Sequence, residues 1–244
     1  MTDPTHAAPS THRMPPARPH AVLYVLSAFP VLSETFVANE IRAMRALGHR
    51  AIPLALAPHD GPCQPDDLGL KAETLALAAE PRGAALLRAA WRPAGLARAL
   101  AFVARQQALP PRSLLMAGAQ VAAAARRAGA SHIHAHFAHA AAATAIVGAR
   151  LAGLTVSFTG HGFDIYGAPS DLAAKLRHAD LAVAVCEDMR ADLLALAPGA
   201  RVAMVPCGVD PARFRPEPGR DNGKLLAVGR LAAQKGHATL LDAL

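Results

Sequence analysis

The stretch "SHIHAHFAHAAAATAIVGARLAGLTVSFTGHGFDIYG", residues 131–167, decides how this chain folds. Its first seven residues alternate at the period of a β-strand. An alanine-rich run over about 138–152 then keeps helical spacing and stops at Gly153, where a left-handed helix end is wanted. "LTVSFTG" (154–160) is again an apolar run of strand length. Strand, helix and strand in such quick succession predict a parallel pair joined by a crossover helix.

The same alternation extends in both directions. "AVLYVLS" (21–27) reads as a strand, followed by a turn at Pro30 and a helix. Ser33 suits the N-cap, Glu34 the first turn near the positive end of the helix dipole, and Val37, Ile41, Met44 and Leu47 repeat at helical spacing up to Gly48. "RAIPLALA" (50–57) predicts a second strand, which Pro53 moves toward an edge. Residues 58–69 read as a loop, and 71–129 as helices punctuated at Pro81, Pro93 and Pro110-Pro111. Beyond the opening stretch come a helix over about 170–178, "DLAVAVC" (180–186), a helix over about 187–197, "RVAMVP" (201–206), a Pro- and Gly-rich connector and "GKLLAVG" (223–229). The expected fold class is therefore α/β, a doubly wound and mainly parallel sheet.

Bulk properties narrow the partners. With 52% hydrophobic and 18% charged residues the chain builds a core and is not disordered throughout. Its net charge of +7 suits an anionic partner: nucleic acid, phosphorylated substrate or acidic lipid. Cys63, Cys186 and Cys207 lie far apart without a C-x-x-C pair, so a cytoplasmic protein is expected rather than a disulfide framework. Residues 1–19 lack the apolar core of a secretory signal and read as a disordered tail. No run of about 18 apolar residues free of charge predicts a membrane span.

In such sheets ligands bind beyond the carboxyl ends of the strands. The polar residues there are Ser27 with the loop to Ser33, His136, His161 with Asp164, Glu187, Cys207 to Asp210, and Arg230 with Lys235. In "TGHGFD" (159–164) Gly160 and Gly162 let the backbone turn and approach a ligand, and His161 can exchange a proton near neutral pH. A solvated histidine on a polar loop is the plainer account.

Four segments in order, "FPVLSETFVANEIRAMRALGH" (29–49), "HGFDIY" (161–166), "VPCGVDPARFRP" (205–216) and "LLAVGRLAAQKGHATLLDAL" (225–244), resemble the retaining glycosyltransferase family 4, in particular members that build bacterial exopolysaccharides. The resemblance implies a GT-B fold of two Rossmann-like domains, with an acceptor-side domain over 20–206, a connector over 207–223 and the start of a donor-binding domain over 224–244. Only one βα unit of that second domain is present, so the chain looks truncated at Leu244. The family's paired glutamates for the donor have no counterpart here, and Cys186 and Cys207 stand where Ser and Asn are more common.

The resemblance assigns Arg230 and Lys235, with Gly229 beside them, to the donor diphosphate and places His161 near the transferred sugar; Asp164 is read as its catalytic partner, or as no more than a cap for the following turn. Ser33, Glu34, Thr35, His136 and Gly162 fall on the acceptor side. For "SETF" (33–36) simple helix capping is an equally good account. Fixed cations stabilise a departing nucleoside diphosphate, so no metal and no other cofactor is expected. The implied reaction moves a hexose from a nucleotide sugar to a lipid-linked or oligosaccharide acceptor. The alternatives are another GT-B enzyme, such as a nucleotide-sugar epimerase, and a binding fragment without turnover.

Two further features bear on ligands and partners. His132, His134 and His136 alternate and share one strand face, which invites a metal reading; a flank facing solvent or loops, with His136 alone near the acceptor, is the expectation. From Pro81 to Phe163 the chain has nine arginines and no carboxylate. Too few aromatics interleave for nucleic-acid binding. Contact with an anionic membrane, with Arg88, Arg92 and Arg98 on helical faces, and a simple need for solubility both fit.

Overall fold

A computed structural model describes residues 19–81, 92–209, 211, 214–215, 223–229 and 231–244. The expected tail therefore lies outside the described residues except for its last residue, and so do Arg88 and Arg230. The chain divides into two compact units, residues 1–208 and 209–244.

In the first unit the strands are β1 (Ala21–Leu26), β2 (Arg50–Ala55), β3 (Leu75–Ala76), β4 (His132–His136), β5 (Thr155–Thr159), β6 (Leu181–Ala184) and β7 (Val202–Met204). They form one sheet in the order β3-β2-β1-β4-β5-β6-β7, with every pairing parallel. The order reverses between β1 and β4, the place where a doubly wound sheet opens a crevice. The helices are α1 (Thr35–Ala46), α2 (Leu68–Glu73), α3 (Pro93–Val103), α4 (Pro111–Arg127), α5 (Ala140–Ala152), α6 (Leu172–His178) and α7 (Glu187–Leu196).

Local signals placed most of these ends. Gly48 and Gly153 take φ of +87° and +73°, and the His49 N–H closes α1 on the Met44 carbonyl at 3.0 Å. Pro93 and Pro111 open their helices, where a missing N–H costs nothing. Ser33 departs from expectation. The Glu34 N–H turns back to the Val31 carbonyl at 2.9 Å, so α1 starts one residue later and its N-cap position falls on Glu34, with no side-chain cap. Pro53 sits between two neighbours, yet β3 registers only with Leu54 and Ala55, which leaves Pro53 without a partner on that side. α2 and β3 occupy a stretch too short for a periodic pattern.

One face of the sheet packs on α3, α4 and α5 through Leu23, Val25, Ile133, Ala135, Val156 and Phe158. The other carries Val22, Tyr24 and Leu26 against Val37, Ala38 and Ile41 of α1. Small residues let α4 and α5 approach closely: a Cβ added at Gly118 would stand 2.2 Å from Val147 Cγ1. Gly118→Val is expected to destabilise the fold by about 1–3 kcal/mol through overpacking, measured as a lower urea midpoint. An unchanged midpoint would refute this contact.

The acid-free stretch also finds a structural use. Arg92 donates to the Ala152 carbonyl at 3.2 Å and Arg126 to the Leu151 carbonyl, so two guanidinium groups close the end of α5 where the dipole favours cations. Arg127 pairs with buried Glu80, the last acid before the stretch begins.

The second unit contains α8 (His237–Asp242), preceded by a 3₁₀ turn at Ala233–Lys235. The strand expected in "GKLLAVG" is absent among the described residues of this unit, and Leu225, Leu226 and Val228 are 71–88% exposed. A strand needs a neighbour for its N–H and C=O groups, and none is described there.

Candidate functional site

β4 lies mid-sheet and shows alternate residues to the two faces. Ile133 and Ala135 enter the core, while His132, His134 and His136 face the side that carries α1. This corrects the expected solvent-facing flank: His134 is 7% and His136 1% exposed, because a central strand is covered on both faces. Burial of His134 and His136, and part-burial of His132, is made possible by polar neighbours on β5. His132 Nδ1 meets Thr155 Oγ1, and Ser157 Oγ lies between His132 Nε2 and His134 Nδ1, each at 2.7 Å; Thr159 Oγ1 lies 3.2 Å from His134 Nε2.

At the carboxyl end of β4, His136 Nδ1 lies 2.9 Å from His161 Nε2, and the rings stack at 5.2 Å between centroids. One nitrogen of that pair must donate and the other accept. Burial holds the His161 imidazole down at about 4 against the pull of Asp164, and holds His136 well below its ordinary value, with His134 and His161 adding to the effect. Both rings are neutral at neutral pH. Phe36 of α1 and Phe137 stand 4.3 and 4.8 Å from the His161 ring, forming an aromatic collar around a half-exposed imidazole.

Asp164, expected beside His161 as a catalytic group, is 0% exposed. Its Oδ1 accepts the His161 N–H at 2.9 Å and its Oδ2 the Ala138 N–H at 2.7 Å, so it ties the loop after β5 to the loop after β4. Such a carboxylate has no face left for a substrate. Gly162, at φ +108°, makes the turn between histidine and aspartate that a side chain would resist. Lys175 is also fully buried beneath this region, donating to the Ser170 carbonyl and, at 3.1 Å, to its hydroxyl; burial lowers its ammonium to about 8.

Glu40 completes the cluster from α1. Its Oε1 accepts from the Tyr24 hydroxyl at 3.1 Å, and its Oε2 lies 3.5 Å from His136 Nε2. Burial pushes its carboxyl up, opposed by the Tyr24 hydrogen bond. The structure thus brings together His136, His161, Asp164 and Gly162. Ser33 and Thr35 are exposed and Glu34 half-buried where α1 begins, next to Phe36, whose ring meets His136. Within the second unit, Gly229 lies beside Lys235: a Cβ on the glycine would be 3.5 Å from Lys235 Cγ. Arg230 falls outside the described residues. Sequence reasoning missed Tyr24, Phe36, Glu40 and Phe137; apolar spacing marked only the buried side of α1, and nothing local tied Glu40 to a strand about a hundred residues away.

A doubly wound parallel sheet whose polar loops gather where the strand order reverses is a Rossmann-like ligand-binding domain. The family model for Glycosyltransferase Family 4 matches residues 33–213, and the chain belongs to that family. Among solved structures it is similar to a glycosyltransferase from Rickettsia africae ESF-5, at 15% identity and a TM-score of 0.52, over 82% of this chain and 47% of that one. It is similar as well to a sucrose-phosphate synthase from Thermosynechococcus elongatus, at 19% identity and a TM-score of 0.55, over 91% of this chain and 59% of that one. At these identities the likeness is one of fold, and the chain spans about half the length of the structures it matches. Among curated protein sequences none matches.

No described helix is long and apolar enough to cross a membrane.

Proposed function

We propose that this chain supplies the acceptor-side half of a retaining glycosyltransferase that moves a hexose from a nucleotide sugar to a lipid-linked or growing polysaccharide acceptor. The observation that carries the reading is the His136–His161 pair at the carboxyl ends of β4 and β5, neutral, collared by Phe36 and Phe137 and fixed through Asp164. A neutral imidazole held at the carboxyl ends of the strands donates or accepts one directed hydrogen bond, which suits a sugar hydroxyl. His161 is the residue that touches the transferred sugar, and Asp164 positions it.

Residues 224–244 begin the donor-binding half in this reading. Arg230 and Lys235, with Gly229 allowing close approach, hold the diphosphate and stabilise the charge that grows on it as the glycosidic bond breaks. These cations do the work for which a metal would otherwise serve. The protein works at the cytoplasmic face of a membrane, and exposed Arg98 and Arg112 meet anionic headgroups there.

The test uses membranes from the producing cell, supplied with radiolabelled nucleotide sugars. Label is expected in a lipid-extractable or polymeric fraction, together with free nucleoside diphosphate, and both should disappear in cells carrying His161→Ala. Conversion of the labelled donor into an epimeric nucleotide sugar with no glycosylated product would favour the epimerase instead. Equal incorporation in wild-type and variant membranes would overturn the proposal.

A further inference from the structure

We propose that Glu40, His134 and His136 form a binding site for one divalent transition-metal ion of the zinc class, separate from the groups assigned to the donor diphosphate. The three side chains converge from α1 and β4, and their ligand atoms all lie within 4.8 Å of one another. Glu40 Oε2 is 3.5 Å from His136 Nε2, and Glu40 Oε1 is 3.8 Å from His134 Nε2. Two ligands at about 2.0–2.1 Å from zinc in tetrahedral geometry stand about 3.4 Å apart. Those two spacings run to different oxygens of Glu40; with one atom from each side chain the three lie within 4.8 Å, so closing the site takes up to about 1.4 Å of movement, which the half-exposed Glu40 side chain can supply.

The second observation is a nitrogen without a partner. His136 Nε2 is fully buried and makes no hydrogen bond, although a buried polar atom left unpaired is costly. A bare imidazole nitrogen aimed at a carboxylate is what a cation would occupy. The outer nitrogens are held as metal-bound histidines require: His136 Nδ1 by His161 Nε2 at 2.9 Å and His134 Nδ1 by Ser157 Oγ at 2.7 Å. Tyr24 holds Glu40 from behind, and the Thr159 hydroxyl now 3.2 Å from His134 Nε2 can rotate away. Two histidines and one carboxylate leave a fourth position for water, reached past the part-exposed Glu40 side chain. An ion here keeps the proton of His136 on Nδ1, donated to His161, and so couples metal occupancy to the orientation of that ring.

The test does not depend on transfer activity. Chelator-stripped protein is titrated with ZnCl2 by calorimetry and with CoCl2 by visible absorption, where a tetrahedral site gives intense d–d bands. One equivalent is expected, weakened at least 10-fold by Glu40→Gln and by His134→Gln and unchanged by His6→Ala and His12→Ala in the N-terminal segment. Glu40→Gln decides the matter if His134→Gln misfolds, since Glu40 is half-exposed; circular dichroism checks its fold. Failure to bind zinc or cobalt at 1:1, or binding that Glu40→Gln leaves intact, overturns the proposal.

Discussion

His161→Ala, measured on the protein as its gene encodes it, is expected to lower turnover by about 100-fold or more, the loss typical of a positioned polar catalytic group. The melting temperature should fall little. His161 is half-exposed, and its removal deletes one hydrogen bond to His136 and ring contacts with Phe36 and Phe137, a cost on the order of 1 kcal/mol. The separation of the two readouts matters, because a structural histidine would lose both together. Phe36→Leu should widen the collar and reduce turnover less than His161→Ala does. Turnover within a few-fold of wild type for His161→Ala would remove the residue from the reaction.

Asp164→Ala is expected to produce the largest loss of stability, about 3–5 kcal/mol. The carboxylate is fully buried, and its two oxygens take the N–H groups of His161 and Ala138. Alanine leaves both donors unpaired in a site closed to water, and charge-assisted bonds of this kind are the stronger class. Asp164→Asn offers one oxygen and places an amide N–H against the other donor, so it should recover only part of the loss. Urea denaturation supplies the measurement. A change below about 1 kcal/mol would show that the two loops hold together without this clamp. Turnover is expected to drop in step, since His161 is aimed by the backbone that Asp164 holds.

The two residues of "HGFD" thus separate into a half-buried ring at the strand ends and a fully buried carboxylate that braces it. Sequence reasoning put His161 beside the transferred sugar and left Asp164 either as its catalytic partner or as a cap for the following turn, because spacing along a loop does not tell the two roles apart. Burial decides between them.

What the sequence by itself determined is local. The periods of "SHIHAHF" and "LTVSFTG", the glycines at 48 and 153 and the prolines at 93 and 111 act within one or two turns of backbone, through sterics that no distant contact overrides. These were enough for a doubly wound parallel sheet, and four motifs were enough for the family. The tertiary structure decided which polar residues are covered and whom they meet. "HIHAH" reads equally well as an outer flank or a buried centre strand until its neighbours β1 and β5 are known. Glu40 joins His134 and His136 only because α1 crosses the sheet where the strand order reverses. "GKLLAVG" has the pattern of a strand without becoming one in this unit, because strand pairing is supplied by a second segment of chain and not by the pattern itself.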